Sequence, residues 1–183
     1  IVSTALDRNR KKYQLQEKQL KDTEKRDKYK VYGELIHTYG YGLEEGAKKL
    51  DALNYYTNEM ISIPLDSQLD AKGNAQKYFD KYNKLKRTYE ALTTLTEETK
   101  TEIAHLESIS TALDIALTED DLVQIKEELI EYGYIKRQKT DKKAKIKSKP
   151  FHYHSTDGYD IYVGKNNYQH DELTFKFATG HDW

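Results

Sequence analysis

Residues 74–117 read NAQKYFDKYNKLKRTYEALTTLTEETKTEIAHLESISTALDIAL. Within them Tyr78, Tyr82, Leu85, Tyr89, Leu92, Thr96, Thr99, Ile103, Leu106, Ser110, Leu113 and Leu117 recur in alternating steps of four and three. That is the a/d pattern of a coiled coil, held over about five and a half heptads. At a rise of about 1.5 Å per residue such a helix is roughly 60 Å long. One helix cannot bury its own seam, so the stretch demands a partner. The early seam tyrosines are bulky for a two-helix contact and suit packing against a small domain at that end.

Residues 3–39 supply the simplest partner. They read as helix, with a break expected near Asp22–Thr23. Leu6, Tyr13 and Leu20 mark a thin seam, and Tyr29, Tyr32, Leu35, Ile36 and Tyr39 a denser stripe. The expected fold class is mainly α: a long antiparallel coiled-coil hairpin, a small α+β tip domain, then the start of a separate α+β domain. A parallel homodimer of the long helix is the competing arrangement. The tip is expected at 40–73, where aromatic and β-branched residues flank the polar Thr57-Asn58-Glu59 turn and Pro64 closes a β-hairpin. The remaining divisions are 1–39 for the first helix, 74–133 for the second and a short successor, 134–149 for a linker, and 150–183 for the last domain.

The successor helix is announced by Thr118 as N-cap with Glu119, Asp120 and Asp121 in the first turn, and by Gly133 as its stop. Phe151–His154 and Tyr159–Val163 flank an Asp157-Gly158 turn and read as a second hairpin. Residues 169–178 are expected to start a helix.

Composition bounds the function. The chain has 183 residues, 33% of them charged, and a net charge of −1. Its mean hydropathy is −0.95. No apolar run of about 18 residues exists, so no membrane-spanning helix is expected. The absence of cysteine excludes disulfides, thiolate metal sites and a cysteine nucleophile. With no Met at its start and a pattern in progress at Trp183, the chain reads as a piece of something longer.

Near-neutrality hides segregation. Residues 77–87 carry Lys77, Lys81, Lys84, Lys86 and Arg87 against Asp80. Residues 90–131 hold twelve acidic and two basic residues, and 136–149 hold eight basic residues and Asp141. Lys77, Lys81 and Lys84 share a helix face. Basic charge stands at the N-terminal end of that helix, where the macrodipole disfavours it. Helix stability alone does not explain that placement, and phosphate contact does.

No phosphate-binding glycine loop, nucleophile elbow or zincin helix is present, and no carboxylate pair is placed for acid–base work. The chain therefore reads as a binding module, not an enzyme, with no cofactor and no small-molecule substrate. His152 and His154 share a strand face, but two ligands without a third do not make a metal site, so no metal is expected.

Two stretches resemble a known family. Ile63-Pro-Leu-Asp66 with Asn74-Ala-Gln-Lys-Tyr-Phe79 and Lys81-Tyr-Asn-Lys-Leu-Lys86 resemble the middle region of NFACT proteins. Asp157-Gly158, Val163-Gly-Lys-Asn166, Asp171-Glu-Leu-Thr174 and Asp182-Trp183 resemble the start of the NFACT-R domain. His170 and His181 depart from the asparagines expected there.

The resemblance implies ribosome-associated quality control: binding of the large ribosomal subunit and tRNA in support of carboxy-terminal alanine tailing of stalled chains, in the cytoplasm. It also implies a second reading, an anchorless surface adhesin binding fibronectin or fibrinogen. A bare coiled-coil spacer is a third. The RNA-binding candidates are Lys77, Lys81, Lys84, Lys86 and Arg87, together with Lys165, Asn166, Asn167, Asp182 and Trp183, the last five resting mainly on the resemblance.

Overall fold

The computed structural model describes residues 1–138 and 147–182. Its contacts divide the chain into two units, Tyr13–Glu98 and Ile1–Lys12 with Thr99 onward. Helix α1 (Val2–Asp22) gives way to a 3-10 turn at Thr23–Lys25 and then to α2 (Arg26–Tyr39). Strands β1 (Lys49–Asn54) and β2 (Glu59–Pro64) precede α3 (Ala71–Ile115) and α4 (Glu119–Glu131). Strands β3 (Phe151–His154) and β4 (Asp160–Val163), then α5 (Asn167–Glu172), complete the described elements, with a π-helical turn at Leu173–Phe177. The fold is mainly helical, and each strand pair is an antiparallel hairpin.

In the unit Tyr13–Glu98, α2 and the start of α3 pack on each other and share a core with the first hairpin. Leu35, Ile36, Ala52, Ile63, Ala75 and Tyr78 form its buried core. Gly33 is needed because a Cβ there would stand 2.9 Å from the Phe79 ring. The hairpin turn lies at 55–58, beginning two residues before the expected 57–59 and ending one before it. The backbone N–H of Asn58 reaches Asn54 and its φ is +57°, a left-handed position that asparagine tolerates.

In the other unit the start of α1 packs on the end of α3, and α4 joins them. Val2, Leu6, Leu106, Ile109, Ala112, Ile125 and Leu129 are the buried apolar residues. Early α1 with late α3, and α2 with early α3, is the antiparallel pairing expected of an intrachain hairpin.

The α1 stripe is richer than its apolar residues reveal. Asn9, Gln16 and Thr23 are buried with Val2 and Leu6, and with half-buried Tyr13 and Leu20 they complete an unbroken four–three alternation. On α3, Thr96 and Thr99 are buried too. Polar seam residues of this kind fix register at a cost in stability. The 3-10 turn is closed by the Thr23 hydroxyl on the Leu20 carbonyl at 2.5 Å, and Arg26 Nη1 donates to the Thr23 carbonyl.

The α3 seam holds from Tyr78 to Leu106 and then changes face. Ile109 and Ala112 are buried where Ser110 and Leu113 were expected, and Leu117 is 75% exposed beyond the helix end. A straight α-helix drifts about 20° per heptad from a strict seven-residue repeat, and α4 supplies a second packing surface there. On α4 itself, Leu122 is exposed while Asp121, Gln124 and Glu128 are buried.

Candidate nucleic-acid interface

The basic ridge starts from a local clasp. Asn74 is buried and accepts from the Asp66 backbone N–H at 2.7 Å, while its Nδ2 donates to the carbonyls of Asp66, Leu69 and Asp70. The Tyr78 hydroxyl donates to the Pro64 carbonyl at 2.6 Å. Lys77 Nζ donates to Asp66 Oδ2 at 2.8 Å. This bond, with the Gln68 backbone N–H, holds the Asp66 carboxyl below its usual range. The Ile63–Asp66 and Asn74–Phe79 motifs are therefore two halves of one structural joint.

Beyond the clasp, cations sit on tyrosine faces. Lys81 Nζ is 5.3 Å from the centroids of both Tyr29 and Tyr78. Arg26 lies 4.1 Å above Tyr89, and Lys28 lies 5.3 Å from Tyr32. The rings themselves interlock, with Tyr32 edge-on to Tyr78 at 5.3 Å and Tyr29 stacked on it at 5.9 Å. Burial, then Tyr32 and Tyr29, push the Tyr78 hydroxyl above its ordinary pKa, so the ring stays neutral. Cation–π contact fixes the lysine stem while leaving the ammonium reachable by a phosphate.

Lys84 and Arg87 border an open concavity with Asp80, Asn83 and Thr88. Lys81, Lys84 and Arg87 are all exposed. Lys77 is occupied by Asp66. Lys86 is exposed but lies about 180° around the helix from Lys77, so it stands apart from the ridge.

The structure gives Lys165, Asn166 and Asn167 internal partners. Lys165 Nζ pairs with Asp121 Oδ1 at 3.1 Å, and its side chain is largely buried. Asn166 caps α5 and donates to Gln124 Oε1 at 2.7 Å. Asn167 donates to Ser108 and to Glu128. Gln169 completes the set, donating to Gln124 and to Ser148 at 2.8 Å each. These residues are not a polar loop facing solvent.

Their anchor is Asp121. Its carboxylate accepts from Ser148 at 2.5 Å, from Lys165 and from the backbone of Leu117 and Thr118, closing a capping box with Thr118, the expected N-cap. Burial works to raise its pKa. The donors Ser148, Leu117, Lys165 and Thr118 outweigh it and hold the carboxyl far below the usual range. Capping thus accounts for only part of Asp121. The signal missed in the sequence was the pattern Asp121, Gln124, Glu128, a polar stripe at helical spacing on a face that becomes buried.

Asp182 accepts from the Thr179 hydroxyl at 2.9 Å and from its backbone N–H, a local turn. Trp183 and most of the basic linker at 136–149 lie outside the described residues. His152 and His154 gain a neighbour unseen in the linear reading, because strand pairing sets Asp160 opposite His154.

Comparison with known proteins supplies the relatives. The family described as NFACT N-terminal and middle domains matches residues 1–148. The chain is 47% identical over 179 residues to a protein of Streptococcus suis named Rqc2 homolog RqcH. It is 35% identical over 180 residues to the Bacillus subtilis protein of that name. It covers 32% and 31% of those two proteins, so it spans about a third of their length. A solved structure of the C-terminal part of the fibronectin/fibrinogen-binding protein from Streptococcus suis matches with a TM-score of 0.69 and 40% identity, over 97% of this chain and 58% of that one.

Proposed function

This chain belongs to the NFACT family, and on that premise we propose that it is a stretch of a ribosome-associated quality-control factor. In this reading the whole protein binds the large ribosomal subunit and tRNA in the cytoplasm and supports alanine tailing of stalled nascent chains. It acts by binding, and peptide-bond chemistry stays with the ribosome. The kinship to proteins named Rqc2 homolog RqcH supports the role.

The observation that carries RNA contact within this chain is the ridge of Lys81, Lys84 and Arg87 beside tyrosine-backed Arg26 and Lys28. Each phosphate neutralised by such a cation lowers the slope of log affinity against log salt by about 0.7 to 0.9. Reversing Lys81, Lys84 and Arg87 to glutamate should weaken binding to large-subunit RNA and flatten that slope by about 2 to 3. Lys86→Glu should do less. Filter binding across a salt series reads both, and an unchanged slope in the triple variant refutes the ridge.

The second reading is binding of fibronectin or fibrinogen, favoured by the likeness to the Streptococcus suis fibronectin/fibrinogen-binding protein. Co-sedimentation with 50S subunits against capture on immobilised fibronectin, both at physiological salt, separates the two. No described helix is long and apolar enough to cross a membrane.

A further inference from the structure

The second hairpin brings together three groups that neither reading uses. His152 and His154 alternate onto one face of β3, and Asp160 opens β4 directly opposite His154. His152 Nε2 stands 2.8 Å from Asp160 Oδ1, and His154 Nδ1 stands 2.9 Å from the same oxygen. The three donor atoms lie within 4.8 Å of one another. Tyr162 stacks on the His152 ring at 4.4 Å and 3°, and Phe177 braces Tyr162 edge-on at 4.8 Å. The imidazole orientation is thus fixed by packing and not only by the carboxylate.

We propose that His152, His154 and Asp160 form a binding site for a divalent transition cation of the Cu2+ or Ni2+ kind. Two imidazole nitrogens and one carboxylate oxygen suit borderline cations better than Ca2+ or Mg2+, which take oxygen. The 2.8 and 2.9 Å separations are those of hydrogen bonds to a shared oxygen, and small side-chain rotations would bring all three donor atoms onto one ion about 2.0 to 2.2 Å away. The remaining coordination positions are open to water because all three side chains are exposed. Binding requires His152 Nε2 and His154 Nδ1 to present a lone pair, so a proton on either atom goes to solvent or to the other ring nitrogen.

The test uses the intact chain titrated with CuSO4 and, separately, NiCl2 by calorimetry, with electron paramagnetic resonance of the Cu2+ adduct. The expected result is one ion per chain and a spectrum with two nitrogen donors. His152→Asn, His154→Asn and Asp160→Asn should each weaken uptake by about tenfold or more, since even loss of an outer partner costs about 10 to 100-fold. His37→Asn and His181→Asn should leave it unchanged. Uptake that survives the His152→Asn/His154→Asn pair, or a wild-type spectrum without two nitrogens, overturns the site and leaves a plain histidine–aspartate ion pair. The spectrum is read on the unmutated chain, so it decides the matter even where a variant misfolds.

Discussion

The two units solve the same packing problem with opposite chemistry. Around Leu35, Ile36 and Ile63 the core is apolar and aromatic, and the buried amide beside it, Asn74, serves a loop. Around Leu106 and Ile109 a similar apolar core is covered by a layer in which Asp121, Gln124, Glu128, Asn166 and Gln169 are all buried. Non-directional burial tolerates exchange of shape, whereas a buried polar network is costly as soon as one member is missing. The first unit should answer to cavities, the second to single polar deletions and to pH.

The largest effect is expected from Asp121→Ala. Removing the partner of a buried charge costs about 3–5 kcal/mol, and hydrogen exchange should show protection lost around α4 and α5 while the first hairpin keeps its own. Adding Lys165→Met should recover part of that loss. Leu35→Ala is the counterpart in the other unit and should cost about 2–5 kcal/mol through transfer and cavity formation. Its exchange signature should be confined to α2, β1 and β2. If either variant loosens both units equally, the contrast between them fails.

Acid sharpens the comparison further. The depressed pKa of Asp121 means that its contribution is complete above the unfolded value of about 3.9 and is lost as pH falls toward its folded value. Circular dichroism with exchange between about pH 4 and pH 2 should therefore show the α4–α5 region loosening before the first hairpin. The smallest effect belongs to Lys77→Met. Its pair with Asp66 is substantially exposed, so thermal melting should register less than about 1 kcal/mol.

The long helix, the break near Asp22, both hairpins and the cap at Thr118 were legible because each has a local cause: period, turn residue or capping side chain. What escaped the sequence depended on the partner surface. Asn9 and Gln16 look like solvent positions until α3 covers their face. Ser110 and Leu113 continue a seven-residue count that the backbone no longer follows once α4 arrives. Lys165, Asn166 and Asn167 look free to meet RNA because nothing nearby in sequence reveals Asp121 and Gln124 as partners of Lys165 and Asn166. Gly164 and His170 show the same limit. A Cβ at 164 would overlap the His170 ring, whose Nε2 contacts the Gly164 carbonyl at 2.9 Å, so Gly164, which carries the family resemblance, is held against His170, which departs from it.

The 3-10 turn at Thr23–Lys25 acts as a clock correction. Upstream, buried and half-buried positions tick at four and three. Across the turn they run buried Thr23, then half-buried Arg26 and Tyr29, two short beats in succession, and then four and three return at Gly33, Ile36 and Gly40. In an ordinary α-helix that skipped beat would swing the inward face by about 100°. Three residues of 3-10 helix turn about 60° further than three of α-helix, so α2 recovers more than half of the heading of α1. Inserting one alanine after Glu24 should convert the turn to regular helix and keep that heading, whereas inserting two should rotate Leu35 and Ile36 away from the hairpin they cover.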